Sequence, residues 1–111
     1  MPKLESRYQA KLIRKLKELF PGCMVFKMDS SYIQGIPDLL ILYEDQWAML
    51  EVKRSEKDRQ DPQPNQEYYV DLLDEMSFAS FIFPENEEEV LHDLELAFER
   101  RSRRSTRRTR R

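Results

Sequence analysis

Gly35-Ile36-Pro37-Asp38-Leu39-Leu40-Ile41-Leu42-Tyr43-Glu44-Asp45-Gln46-Trp47-Ala48-Met49-Leu50-Glu51-Val52-Lys53 is the stretch from which the fold of this 111-residue chain is read. Leu39 to Tyr43 is a continuous apolar run and Trp47 to Lys53 alternates, which predicts two β-strands joined by Glu44-Asp45-Gln46 as a hairpin loop. Period-two geometry puts Trp47, Met49, Glu51 and Lys53 on one face and Ala48, Leu50 and Val52 on the other. Asp38 opens the partner strand directly after Pro37, whose ring fixes φ and removes a ladder donor, and Gly35 permits a close backbone approach just before it. Two carboxylates and an ammonium are therefore expected at one edge of a small sheet. Carboxylates so close repel each other unless a cation neutralises them, and an all-oxygen ligand set selects a hard ion such as Mg²⁺ or Mn²⁺. A lysine beside them can polarise a bound water or steady the charge of a phosphorane, so the trio is equipped to hydrolyse a phosphodiester. The plainer alternative is that the three charges only mark where strands leave the core. The Gly-x-Pro approach to Asp38 argues against it.

Working outward, Leu4 to Phe20 reads as an amphipathic helix with Leu4, Tyr8, Leu12, Leu16, Leu19 and Phe20 as its apolar stripe, ended by Pro21-Gly22. Glu5 falls near the middle of that stripe at about 100° per residue, so it is expected to face inward. Cys23 to Met28 is a first strand, and Ser30 to Gly35 a loop over the site in which Ser30, Ser31 and Tyr32 can touch a nucleic-acid backbone. Arg54 to Pro64 is a polar loop, and Asn65 is the N-cap of a second helix whose buried stripe is Tyr69, Leu72, Leu73 and Met76, with Gln66 beside Leu73. Phe78 to Phe83 forms a fourth strand stopped by Pro84. Asn86 with Glu89 resembles a capping box that starts a third helix reaching about Arg101. The order α-β-β-β-α-β-α fits an α/β fold with a mixed sheet and helices on its faces.

Charge divides the chain into a domain of residues 1–99 and a tail of residues 100–111. All 21 acids lie in the first part with 11 of the 19 basic residues, net −10, while the tail carries Arg100, Arg101, Arg103, Arg104, Arg107, Arg108, Arg110 and Arg111 and no acid, net +8. With nothing apolar to bury, the tail is expected to be a disordered polycation. If each arginine neutralised one phosphate, nucleic-acid binding would gain a salt slope of about 7 log units per log unit of salt. Lys27, Arg54, Lys57 and Arg59 are further bases near the predicted site. Apolar content of 40% against 36% charged residues fits one compact domain. The chain shows no signal-peptide core and no apolar run near the ~20 residues that cross a bilayer, so no membrane association is expected. The single cysteine, Cys23, reads as a small buried side chain, and His92 as a surface residue of the last helix.

The succession of helical Glu5, G-x-P-D at Gly35 to Asp38, E-V-K at Glu51 to Lys53 and a glutamine, Gln66, opening the next helix resembles the PD-(D/E)XK nuclease superfamily. Within it the chain is most similar to the VRR-NUC group, in particular to small stand-alone phage-type endonucleases that resemble Holliday-junction resolvases, over about Leu4 to Phe83. The resemblance implies a restriction-endonuclease-like αβββαβ core with a C-terminal helix, and a Mg²⁺-dependent DNA endonuclease for which branched DNA or Holliday junctions are candidate substrates and DNA recombination a candidate setting. It implies a metal held by Asp38, Glu51 and the backbone carbonyl of Val52, with Mn²⁺ able to substitute and Lys53 as the catalytic lysine. Glu5 would stand behind the metal ligands or reach the metal through water, and Gln66 would help hold the site or the DNA. One site cuts one strand, so a homodimer is expected, in the cytoplasm, the host's if the gene is phage-borne. Two other readings stay open: a nuclease-fold DNA-binding module without catalysis, and an interaction protein that bridges partners through its basic tail.

Overall fold

A computed structural model describes the backbone of residues 4–109 and the side chains of residues 6–100. Helix α1, Leu4–Leu19, leads into strands β1, Met24–Lys27, β2, Leu39–Tyr43, and β3, Gln46–Val52. Helices α2, Glu56–Arg59, and α3, Gln66–Met76, then cross to β4, Ala79–Ile82, and α4, Glu87–Thr109, follows. The four strands form one mixed sheet in the order β1-β2-β3-β4. The first three are antiparallel neighbours and β4 runs parallel to β3, with Met49 opposite Ala79 and Val52 opposite Ile82. A parallel pair needs a long crossover, which residues 53–78 supply. The architecture is α/β, as the order of elements predicted.

Alternation in β3 divides the interior as expected. Ala48, Leu50 and Val52 join Leu39, Ile41 and Ile82 in a core sealed by Leu12 and Leu16 of α1, by Phe20 just after it, and by Leu94 and Phe98 of α4. The opposite face holds Met49, Phe81 and Ala79 under Val70 of α3. Removing a Leu or Phe side chain from water contributes about 1.5–3 kcal/mol, so the double-sided burial of β3 fixes its register. Among the described residues no helix is long and apolar enough to cross a membrane.

Several local expectations are corrected. The hairpin loop is Glu44-Asp45 alone, because Gln46 pairs with Tyr43, and Glu44 takes up the turn at φ 58. Leu19 is exposed on the flank of α1, outside the stripe. In α3 the face on the sheet is Val70, Leu73 and Ser77, while Tyr69 and Leu72 are half-buried and Met76 is 63% exposed. The apolar stripe is thus wider than the surface the sheet offers it. Asn65 does precede α3, but at φ 69 and without a side-chain cap. Asn86 forms no capping box: its Oδ1 accepts from the Phe83 N–H at 2.8 Å and its Nδ2 donates to the Phe81 carbonyl at 3.2 Å, closing the end of β4. The polar loop contains α2, capped by Ser55, whose Oγ accepts from the Asp58 N–H. The backbone of α4 continues to Thr109, past the expected end near Arg101, since arginine propagates an established helix well.

Candidate active site

The start of β2, the end of β3 and the first turn of α3 meet at one end of the sheet. Pro37 is fully buried, and Asp38 follows it with its carbonyl accepting from the Met28 N–H at 2.7 Å. Its side chain turns toward β3, where Oδ2 accepts from the Val52 N–H at 2.9 Å. Glu51 is 3% exposed and Lys53 8% exposed, with Lys53 Nζ 4.0 Å from Glu51 Oε2. Gln66 bridges the two. Its Oε1 accepts from Lys53 Nζ at 2.7 Å and from the Gln63 N–H at 2.9 Å, and its Nε2 donates to Glu51 Oε2 at 3.0 Å. An ammonium can only donate and a carboxylate can only accept, so these partners fix which way the amide faces.

Gly35 explains how Gln66 arrives there. At φ 92 it lies so near the turn before α3 that an added Cβ would stand 2.7 Å from Asn65 Cβ and 2.9 Å from the Pro64 carbonyl oxygen. The left-handed Asn65 bends the chain around this contact and delivers Gln66 to the strands.

Burial pushes the Asp38 carboxyl above the usual carboxylate range, against the opposing pull of the Val52 N–H, a hydrogen bond with Glu51 and the Lys53 charge. Two carboxyl groups this close favour a proton or a cation between them over two bare charges. The donor set fits a hard divalent ion. Pairing of Leu50 with Leu39 brings Val52 opposite Pro37, which has no N–H to offer the Val52 carbonyl, so two carboxylates and a main-chain oxygen are found together. Among the described residues no three His, Cys, Asp or Glu side chains gather as a metal cluster.

These groups line a polar cleft of about 340 Å³ that also includes Asp58, Asp61 and Gln63. Sequence reasoning missed these three. The Ser55-x-x-Asp58 spacing was a legible helix-start signal, but nothing local showed that the helix would close the cleft. Arg54 is engaged by Asp58 at 2.8 Å, which holds that carboxyl below its ordinary range. Lys57 and Lys27 are exposed, and Ser30 is exposed beside Asp29, whose carboxylate accepts from the Ser31 N–H and hydroxyl. Arg59 leaves the cleft, lying 3.8 Å over the Phe81 ring and pairing with Glu67. Cys23 is half-buried and His92 exposed. Arg100 is exposed. The side chains of Glu5, Arg101, Arg103, Arg104, Arg107 and Arg108, and all of Arg110 and Arg111, lie outside the described residues.

Compared with protein-family models, curated proteins and solved structures, the chain matches none. The functional reading therefore rests on the cleft. Asp38 and Glu51 are the residues there that could hold a divalent cation, with the Lys53 ammonium held beside them by Gln66.

Proposed function

We propose that the protein is a metal-dependent endonuclease that hydrolyses phosphodiester bonds in DNA. The observation that carries this reading is the convergence of Asp38, Glu51 and Lys53 from two strands in one cleft, with Gln66 bonded to both the acid and the lysine. The α-β-β-β-α-β succession, interrupted only by the single-turn α2, and the parallel β3–β4 pair support a restriction-endonuclease-like core.

Asp38, Glu51 and the Val52 carbonyl would hold Mg²⁺ or Mn²⁺, which when bound supplies Lewis-acid polarisation of the phosphate and an acidified water. The chain's own groups do the rest. Lys53, fixed by Gln66 Oε1, presents its ammonium where negative charge grows on the phosphorus oxygens. Gln66 keeps Lys53 from collapsing fully onto Glu51, leaving both charges aimed into the cleft. Asp38, Glu51 and Asp61 make the cleft acidic, with Asp58 already paired to Arg54, so a divalent cation would offset the field that a phosphodiester meets there. The arginines of residues 100–111 supply sequence-independent affinity for the DNA backbone.

The test incubates supercoiled, single-stranded, flapped and four-way DNA with Mg²⁺ or Mn²⁺. Cleavage is expected with the parent chain and loss of at least ~10²-fold with Asp38→Ala or Lys53→Ala. Undiminished cutting by both variants would refute the site assignment. Normal DNA binding without cleavage would select the non-catalytic module, and salt-sensitive association surviving loss of both strand carboxylates the bridging protein. Deleting residues 100–111 should weaken binding and flatten its salt dependence while cutting persists at low salt.

A further inference from the structure

Helix α4 continues past the body of the protein with a periodic sequence. Phe98 is the last buried side chain described in it, yet its backbone stays helical to Thr109. Beyond Glu99 the residues are Arg100-Arg101-Ser102-Arg103-Arg104-Ser105-Thr106-Arg107-Arg108-Thr109, with nothing apolar among them. Ser102, Ser105, Thr106 and Thr109 are spaced i, i+3, i+4, i+7, so at about 100° per residue they fall within an arc of about 100°, and the arginines between them fall within about 160° of the opposite side. That is the spacing of a helix with two faces. A segment required only to be positive would have no reason to keep its hydroxyl residues in helical register. The packed positions of α4, Val90, Leu91, Leu94 and Phe98, centre about 115° from the arginine arc, so the arginine positions fall away from the side of the helix that covers the sheet. Extending a helix whose first turns are already packed needs no new nucleus, and arginine is a good helix former. Repulsion between arginines one turn apart opposes the extension, and phosphates would relieve it.

We infer that residues 100–109 are a one-sided arm that docks, as a helix, in the major groove of duplex DNA. The inference rests on the DNA-cutting reading for its partner and goes beyond it in the form of DNA recognised and in where the DNA is held. An arginine arc this wide can meet phosphates on two sides at once, and a major groove about 12 Å wide admits a helix between two phosphate rows. A single strand offers one row only, and the deep, narrow major groove of duplex RNA does not admit the helix. The topology sets the distance to the cleft. β4 ends beside β3 at the cleft, Val52 opposite Ile82, and α4 then runs back until Glu95, Phe98 and Glu99 reach Tyr43 and Glu44 at the hairpin. From Glu87 the helix rises about 20 Å to Arg100 and about 33 Å to Thr109. At about 3.4 Å per base pair, some 6 to 10 base pairs of duplex separate the arm from the cleft. The same flank of α4 bears Glu89 and Asp93 upstream, so phosphate contact begins at Arg100.

Two variants separate a helical face from mere charge. Exchanging Ser102 with Arg103 and Thr106 with Arg107 keeps composition and charge but moves two arginines to the far side, while Ser105→Pro keeps every arginine and interrupts the helix. Binding to a duplex of about 20 base pairs without metal, followed by fluorescence anisotropy across a salt series, should weaken about 10-fold in each, and the exchange should lower the salt slope by about 2 log units per log unit. Circular dichroism should show the parent's helix content in the exchanged chain and less in Ser105→Pro. Single-stranded DNA and duplex RNA should bind parent and exchanged chain alike. Equal affinity of the parent and both variants for duplex DNA, or an equal loss on single strands and duplex RNA, would overturn the inference, because the segment would then act by charge count alone. With Mg²⁺, cutting should fall when fewer than about 6 base pairs flank the scissile phosphate on the side of the arm. A chain that binds duplex DNA in this register-dependent way and cuts none would contradict the nuclease reading while upholding the arm.

Discussion

Replacing Gly35 by alanine separates two costs that glycine avoids, and the chain contains its own control. Gly35 and Gly22 have nearly the same backbone angle, φ 92 and φ 90, so alanine at either loses the left-handed freedom of glycine, about 1–2 kcal/mol. At Gly22 the new methyl meets nothing within 4 Å. At Gly35 it meets Asn65 Cβ at 2.7 Å, the Asn65 carbonyl carbon at 2.8 Å and the Pro64 oxygen at 2.9 Å, and two of these three are backbone atoms that cannot rotate away. Overpacking of that kind costs about 1–3 kcal/mol more. Gly35→Ala should thus destabilise by about 2–5 kcal/mol and Gly22→Ala by about 1–2, read as shifts of the urea midpoint with unchanged m-value. The relief of that clash pushes Asn65 away and takes Gln66 with it, so Gly35→Ala should also lose DNA cleavage by about 10²-fold, while Gly22→Ala keeps it. Equal destabilisation by the two substitutions, or a destabilised Gly35→Ala that cuts DNA at the parental rate, would refute the claim that this contact positions Gln66.

Gln66→Leu removes the hydrogen bonds to both buried charges. A loss of roughly 3 kcal/mol is expected in thermal melts with EDTA present, since a bond to a charged group contributes about 1.5–3 kcal/mol and the pair is not additive. Tyr8 donates to Glu87 at 2.9 Å, and burial together with that carboxylate raises its phenol far above the ordinary 10.0. A raised folded value means the contribution is complete below pH 10 and is lost as the pH climbs beyond it. The parent should therefore lose up to about 1.4 kcal/mol per pH unit above pH 10, and Tyr8→Phe should flatten that alkaline limb in urea titrations. Glu44→Gly should stabilise the hairpin by about 0.5 kcal/mol, because glycine adopts φ 58 without strain and gives back only part of the gain as unfolded-chain entropy. Differential scanning calorimetry would register it as a small rise in Tm.

The strands and long helices, and the candidacy of Asp38, Glu51 and Lys53, followed from the sequence alone, because period-two and period-3.6 patterns are properties of neighbouring residues and survive without knowledge of the partner element. Asp38 stood out through Pro37 and Gly35, whose backbone preferences are equally local. Other features needed the whole fold. That β4 lies parallel to β3, that the α3 face on the sheet is Val70-Leu73-Ser77 and leaves Met76 outside, and that Asn86 closes β4 instead of capping α4 each depend on which surface happens to be available. Gln66 shows the division within one residue. Its place at the head of a helix was legible, but its amide bridges Glu51 and Lys53 only because Gly35 lets Asn65 pack closely on the chain that leads into β2, a contact across some 30 positions of chain that no local pattern encodes.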